Sequence, residues 1–508
     1  MRIRKNYRIT SYLYENLTYN QAMFRISILL IALTSFLLAK EKPNIVYILA
    51  DDMGFDSVSA NNPAIGKMKT PSIDKLISQG MKFTDAHSGS AVCTPTRYGL
   101  LTGRHCWRSR LKKSVLWEYG KPLIEKDRTS IAKFLKEQGY NTAIIGKWHL
   151  GLNWKAKDGS LANADIKDTD SFFKKGGAAV RVQKVAEKID YTAEVTGGPL
   201  SIGFDHWFGM DAPNFPPYAW INDTKIQGTP SEVKPKKMFG HPGMMVPGWK
   251  LEEILPTLGE KSAEYITAAA KKETPFFLYI PLTSPHTPIA PSESWKGKSG
   301  VTHYADFVME TDAIVGQIVK AIDDAGIAEN TIVIFSADNG TSPYGGQIKQ
   351  LKQKNVNLNQ HFRGHKAQIH EGGHRVPFVV RWQGKIAAGS TCDEITCLTD
   401  FFATTADLLD QKIPANTAED SHSILPLLTG KSKTLPNRPL VINHDIAGRF
   451  AIRDGAWKLI FNGKTLELYH LLNDPKETTN RAHAHPEQVK KMQATLHHYK
   501  TSGRSALP

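Results

Sequence analysis

The stretch Asn44-Ile45-Val46-Tyr47-Ile48-Leu49-Ala50-Asp51-Asp52 decides the fold. After Asn44 the residues are apolar without interruption as far as Ala50. A run of that kind, lacking polar alternation, reads as a strand buried on both faces, the situation of a parallel sheet covered by helices. It stops at two carboxylates, so Asp51 and Asp52 sit at the carboxyl end of that strand. Working outward, comparable runs recur at residues 142–146, 275–282, 331–337 and 376–381, with helical patterns between them at 130–138, 258–271 and 303–325. Strands alternating with helices predict an α/β fold with a large, mostly parallel central sheet flanked by helices. In such sheets ligands collect outside the carboxyl ends of the strands. Polar clusters follow several of the runs: Asp51-Asp52, Lys147 with His149, His286, and Asp338-Asn339. One site can gather them all.

Residues 154–250, rich in Gly, Pro, Lys and aromatics, read as a long insertion able to form a substrate-facing rim. From about residue 435 the pattern changes to short strands near Leu440, Phe450, Trp457 and Leu466 and then a helix from about Pro486. This predicts a small C-terminal α+β subdomain at 435–508 beside a main domain at 41–434. At the other end, Arg25 precedes an apolar run at 26–39 that includes the small residues Ser35 and Ala39 as cleavage points. Residues 1–40 therefore read as a signal peptide with a long n-region, its apolar stretch short for a membrane span. The expectation is an exported protein, periplasmic or extracellular, with an uncleaved anchor as the alternative.

Composition excludes little beyond the collagen-like and disordered classes, since 41% hydrophobic and 22% charged residues are ordinary for a globular chain. The chain carries 64 Lys and Arg against 49 Asp and Glu; without residues 1–40, which hold six bases and one acid, the excess is ten. A basic surface speeds encounter with anionic substrates. No zinc-finger spacing or other nucleic-acid motif accompanies it, and no nucleic-acid partner is expected. The cysteines Cys93, Cys106, Cys392 and Cys397 are too few for a disulfide-built scaffold of this size; Cys392 and Cys397 could close a small loop, while Cys106 has no evident partner.

The most specific pattern in the chain is Cys93-Thr94-Pro95-Thr96-Arg97-Tyr98-Gly99-Leu100-Leu101-Thr102-Gly103-Arg104. Pro95 suits the first turn of a helix continuing to Leu101, which sets Cys93 at a helix amino terminus, where free N–H groups and the dipole favour an anion. The segment resembles the Cys-x-Pro-x-Arg signature of the type I sulfatases, members of the alkaline phosphatase superfamily, together with the trailing Leu-Thr-Gly-Arg. That resemblance implies an alkaline-phosphatase-like fold and oxidation of Cys93 to formylglycine by a maturation enzyme. A hydrated aldehyde bears two hydroxyls on one carbon, so one can attack sulfur and the other later expel sulfate, an exit that a serine ester lacks. Lowering the hydroxyl's pKa calls for a hard divalent ion held by oxygen ligands.

Asp51, Asp52, Asp338 and Asn339 resemble the family's metal-binding Asp-Asp and Asp-Asn pairs, with the modified Cys93 completing the set. Oxygen-only ligation favours Ca2+ or Mg2+ over zinc, and the resemblance implies Ca2+ ahead of Mg2+. Taken singly, such pairs are ordinary caps and turns; their occurrence together with the cysteine signature gives them meaning. Gly146-Lys147-Trp148-His149-Leu150-Gly151 is similar to a further family motif. By that likeness Lys147 contacts a sulfate oxygen, and His149 hydrogen-bonds the formylglycine and takes its proton when the sulfated intermediate collapses, a step suited to imidazole. In Ser284-Pro285-His286-Thr287-Pro288 the matching histidine, His286, binds sulfate and assists the leaving oxygen. Lys366, in the stretch from Arg363 to Glu371-Gly372-Gly373, matches a lysine that stabilises charge on a sulfate oxygen or protonates the departing alkoxide. His365 and His370 in the same stretch read as structural or peripheral. Arg97, one helical turn beyond Cys93, matches the arginine that orients the formylglycine and the metal-ligand carboxylates.

The resemblance runs from about residue 43 to 382 through several ordered motifs, and more weakly beyond. It implies a sulfuric ester hydrolase of arylsulfatase type, and the basic balance and export signal add a sulfated saccharide as the substrate class. Two rivals remain at this stage. A phosphodiesterase or phosphonate monoesterase of the same superfamily would handle a similar tetrahedral anion, and a non-catalytic binder of sulfated glycans would also be basic and exported. The first lacks support in the cysteine signature, and the second does not account for a complete catalytic set.

Overall fold

The computed structural model describes residues 42–435 and 442–506. The expected signal peptide at 1–40 and the strand position at Leu440 itself lie outside them. The strands of the principal sheet are, in chain order, β1 (Asn44–Ala50), β2 (Met81–Phe83), β3 (Asn141–Lys147), β4 (His206–Met210), β5 (Ile221–Asn222), β6 (Lys225–Ile226), β7 (Phe276–Pro281), β8 (Thr331–Ala337), β9 (Phe378–Arg381) and β10 (Ser390–Cys392). Side by side they run β10-β2-β9-β8-β1-β7-β3-β4-β5-β6. The five central strands, β8-β1-β7-β3-β4, are all parallel, and β9, β5 and β6 enter through antiparallel pairings.

Every residue of β1, β7 and β8 is buried, as their uninterrupted apolar sequences require. The register then fixes the site. Ala50 pairs with Ala337 and Leu49 with Pro281, so the carboxyl ends of β8, β1 and β7 come level. The ladder continues one step past the strands, with the Asp51 N–H donating to the Ser284 carbonyl at 2.9 Å and the Asp338 N–H to the Ala50 carbonyl at 3.1 Å. The helices expected between the strands form as α3 (Ile131–Glu137), α4 (Ile254–Ala269) and α5 (His303–Asp324), following α1 (Pro71–Gln79) and α2 (Cys93–Thr102). The first residues of α3 and α5 are capped by hydroxyls: Ser130 accepts from the Lys133 N–H and Thr302 from the Ala305 N–H.

The sequence reading made 154–250 a rim insertion. Within it, however, β4 extends the principal sheet parallel to β3. Its pattern escaped notice because buried Trp207, Gly209 and Met210 are interleaved with half-buried His206 and Phe208, so no continuous apolar run announces it. The short strands β2 and β10 were equally unannounced. Cys392 ends β10 against Phe83, whereas Cys397 pairs beside His87 in a separate two-stranded sheet; all four cysteines are buried, and Cys392 and Cys397 are not joined to each other.

The C-terminal region forms a four-stranded antiparallel sheet, β11 (Ile442–His444), β12 (Phe450–Asp454), β13 (Trp457–Asn462) and β14 (Thr465–His470), followed by α6 (Pro486–Thr501). Period-two alternation gives this sheet two apolar faces. Ile452, Leu459 and Leu468 pack on Val489, Met492 and Leu496 of α6, whereas Ala451, Ile460 and Tyr469 pack on Ile369. Among the described residues no helix is long and apolar enough to cross a membrane.

Candidate active site

Cys93 opens α2, whose ten residues are all buried. Pro95 sits in the first turn, where its missing N–H leaves no broken bond. Gly103 closes the helix at φ 64°, and a Cβ there would lie 2.7 Å from the Ala418 Cβ, so the stop demands glycine.

Arg97, buried one turn beyond Cys93, donates from Nε and Nη2 to Asp338 Oδ2 at 3.1 and 2.7 Å, and from Nη1 to the Lys147 carbonyl at 3.3 Å. Lys147 Nζ lies 2.6 Å from Asp51 Oδ2. Lys366 Nζ reaches Asp52 Oδ1 at 2.7 Å and Oδ2 at 2.8 Å, and His286 Nε2 stands 3.8 Å from Asp52 Oδ2. The Asn339 amide donates to Asp52 Oδ1 at 2.7 Å, and the Asp52 N–H donates to Asp338 Oδ1 at 3.1 Å. The sequence-predicted residues Asp51, Asp52, Arg97, Lys147, His286, Asp338, Asn339 and Lys366 thus form one connected cluster. Cys93 stands beside it, packed against Ala367. The Ala367 N–H donates to the Ala91 carbonyl at 2.8 Å, tying the Lys366 loop to the Cys93 loop.

His149 belongs to the same region through a different set of contacts. Its Nε2 donates to the Leu116 carbonyl at 2.9 Å, and the Leu116 N–H donates to Thr94 Oγ1, next to Cys93, at 3.3 Å. A carbonyl only accepts, so Nε2 carries the proton and Nδ1, which has no partner, is the basic nitrogen. Burial first, then the charges of Lys147 and Arg97, hold His149 well below the usual histidine range, so it is a neutral base. His286 is lowered to about 4 by burial and Lys366, and its Nδ1 is fixed by the Thr287 carbonyl.

Burial opposes ionisation of Asp51, but Lys147, His286 and Arg97 outweigh it and hold the carboxyl far below the ordinary range. Asp338 is pushed up to about 7 by burial and by the neighbouring Asp51 charge, against Arg97. Burial pushes the Cys93 thiol up despite Lys147 and Lys366, so an unmodified Cys93 is a poor nucleophile in this pocket. Two buried oxygens, Asp51 Oδ1 and Asn339 Oδ1, have no hydrogen-bond partner, and donor atoms of Asp51, Asp52 and His286 lie within 4.8 Å of one another. Unsatisfied carboxylate and amide oxygens converging among buried residues suit a hard divalent cation.

Sequence reasoning missed two features. Asp211 accepts the His149 N–H at 3.1 Å and is itself raised to about 7 by burial. It follows β4, the unannounced strand, so the strand-end rule had nothing to act on. The second is a buried charge lattice behind the Lys366 loop. Lys458 Nζ lies 3.0 Å from Glu371 and 2.9 Å from Glu477, Arg453 Nη2 lies 2.9 Å from Asp85, and Arg375 binds Glu371 and Asp85. His87, Glu371 and His374 have donor atoms close enough to hold a metal. The two rings meet at their Nδ1 atoms, 2.9 Å apart, His87 Nε2 meets Asp85, and ammonium and guanidinium groups stand against Glu371.

A family model described as sulfatase matches residues 43–411, most of the chain and every residue of the cluster. The chain belongs to the sulfatase family. As a sulfatase it hydrolyses sulfuric esters, and a second model, the C-terminal region of N-sulphoglucosamine sulphohydrolase, matches residues 361–503. The sulfatase is 32% identical over 501 residues to an N-acetylgalactosamine-6-O-sulfatase of Bacteroides thetaiotaomicron, spanning 91% of this chain and 94% of that protein. It is 29% identical to human arylsulfatase A over 445 residues, spanning 85% and 77%. Among solved structures, a Bacteroides thetaiotaomicron sulfatase described in connection with the metabolism of multiple glycosaminoglycans superimposes with a TM-score of 0.76 at 29% identity, covering 91% of this chain and all of that one.

Proposed function

We propose that this sulfatase removes sulfate from a sulfated carbohydrate, using a formylglycine made from Cys93 by a maturation enzyme and a Ca2+ ion held by Asp51, Asp52, Asp338 and Asn339. The observation that carries the reading is the cluster itself: a buried helix-start cysteine beside three carboxylates and three organic cations, with Asp51 Oδ1 and Asn339 Oδ1 unpartnered. The modified residue supplies a carbon bearing two hydroxyls, and the cation supplies a Lewis acid that lowers a hydroxyl pKa and offsets sulfuryl charge.

The chain's own groups divide the remaining work. Arg97 fixes Asp338 through two N–H donors on one oxygen, which orients the carboxylate beside residue 93. Lys147 and Lys366 are ammonium donors at the pocket, placed to hold sulfuryl oxygens as charge builds on them. His149, neutral and with Nδ1 unpartnered, accepts the proton released at residue 93. His286 donates from Nδ1 to the Thr287 carbonyl, so in the neutral ring Nε2, on the Asp52 side, is an acceptor; once protonated there it can bind sulfate and serve the leaving oxygen. Catalysis is then mainly positioning and electrostatic stabilisation.

Similarity to an N-acetylgalactosamine-6-O-sulfatase supports a sulfated amino sugar as the substrate, and the apolar segment at 26–39 supports export. The test is turnover by the matured enzyme of 4-nitrophenyl sulfate, the matching phosphate and phosphonate, and 6-sulfated N-acetylgalactosamine. Preference for the sulfates, with release from the sugar, is expected. Faster turnover of the phosphate or phosphonate would overturn the reading in favour of a phosphoryl hydrolase.

A further inference from the structure

The cluster opens through Asp52, His286 and Lys366 into a cleft of about 1010 Å³. That is the upper end of the roughly 300–1,000 Å³ typical of small-molecule sites, and more than one pyranose ring needs. Two large rings line it while facing water: Tyr344, 91% exposed, on the loop that follows Asn339, and Phe239, 52% exposed, from the 154–250 segment. Apolar surface left open inside a cleft is the usual mark of a binding face. Lysines line the same cleft. Lys250 is engaged by Glu253 at 2.7 Å and Lys296 by Glu252 at 3.7 Å and by Glu293, whereas Lys237 makes no ion pair among the described residues.

Resting on the sulfatase reading, we propose that this cleft is a groove for an oligosaccharide, in which Tyr344 and Phe239 lie against sugar rings and Lys237 binds a second anionic group on a sugar neighbouring the one that loses sulfate. The C–H faces of pyranose rings match the apolar faces of the two aromatic rings. An unpaired ammonium at the cleft wall selects for a carboxylate or a further sulfate ester. The substrate class is thus a polyanionic saccharide chain.

The probes are 4-nitrophenyl sulfate, 6-sulfated N-acetylgalactosamine, a tetrasaccharide alternating that sugar with a uronic acid, and the same tetrasaccharide with its carboxyls reduced to alcohols. Wild type should show a lower KM for the tetrasaccharide than for the monosaccharide. Tyr344→Ala and Phe239→Ala should raise KM for both tetrasaccharides and leave aryl sulfate turnover unchanged. Lys237→Gln should raise KM for the charged tetrasaccharide about tenfold, the scale of one charge-assisted contact. Persistence of the Lys237 effect on the reduced tetrasaccharide identifies the second anion as sulfate, and its disappearance there identifies it as uronate. Equal KM values for monosaccharide and tetrasaccharide, or Lys237→Gln without effect on either tetrasaccharide, would overturn the groove. Calorimetric titration of Cys93→Ala protein with the charged tetrasaccharide reads binding without turnover. Lys237-dependent binding in a protein whose matured form cleaves no sulfate ester would refute the sulfatase reading and leave the groove standing.

Discussion

Asp52 and His149 adopt φ values of 63° and 55°, left-handed conformations that cost a non-glycine residue about 1–3 kcal/mol. Both lie just past parallel strands, and both aim polar groups into the site. The surrounding lattice of hydrogen bonds sustains this strain. Gly146 shows how little room the arrangement has: at φ 139°, its Cβ would fall 2.0 Å from the Pro281 carbonyl oxygen. Gly146→Ala must therefore part β3 from β7 directly before Lys147 and His149. A fall in kcat of at least about tenfold, together with a lower melting temperature, is expected from steady-state kinetics and thermal unfolding, given that about 1.4 kcal/mol already amounts to tenfold. The proposed cation gives a second prediction at this scale. With Asp51 Oδ1 and Asn339 Oδ1 unsatisfied, chelation should lower both activity and thermal stability. At a cation concentration of 100 times Kd the stabilisation lost is about 2.7 kcal/mol. Differential scanning fluorimetry with and without chelator, followed by Ca2+ addition, checks it.

At the scale of elements, the C-terminal sheet reaches the site from behind. Lys458 on β13 spans Glu371 and Glu477, and it also donates to the Ile369 carbonyl at 2.8 Å. Glu371 and Ile369 belong to the same segment as Lys366, so β13 anchors the loop that carries an ammonium proposed to be catalytic. Removing one member of a buried charge network leaves the others uncompensated, typically at about 3–5 kcal/mol. Lys458→Met should lose stability of that order in urea unfolding, and Lys458→Arg should recover part of it. The strands β1, β7 and β8 were legible because burial on both faces leaves only apolar residues possible. The polar clusters at their ends were visible for the same reason, but the roles expected of them, and of Cys93, Arg97 and Lys366, were read from the likeness to family motifs. The ion lattice was not legible: Asp85, Glu371, Arg453 and Lys458 are ordinary charged residues in sequence, and only the docking of the antiparallel sheet onto the Ile369 segment makes them neighbours. β4 was hidden by half-buried residues, and Asp211 with it.

For the whole molecule, burial of titratable groups sets a pH dependence. His87 is lowered to about 4 and His444 to about 3, in each case chiefly by burial. An unfolded histidine titrates near 6.5, so as pH falls below that value the unfolded chain takes up protons that the folded chain refuses. Their contribution to stability is therefore fully present above about 6.5 and declines towards pH 4, by at most about 1.4 kcal/mol per pH unit for each histidine. Asp211 and Asp338, raised to about 7, act in the opposite sense over the same range, so the histidine share is read by substitution: between pH 7 and pH 4 the melting temperature of His444→Asn protein should fall less, or rise more, than that of wild type. The molecule as a whole brings one reactive position into a pocket built by the ends of five parallel strands, and the chemistry proposed for it depends on what stands at residue 93. The most direct measurement is mass analysis of the peptide containing residue 93, paired with aryl sulfate turnover, for protein produced with and without a maturation enzyme. The aldehyde should be present wherever turnover is present, and absent, with turnover, in Cys93→Ala protein that retains the wild-type unfolding profile. Undiminished sulfate release from protein carrying only the thiol at residue 93 would contradict the account.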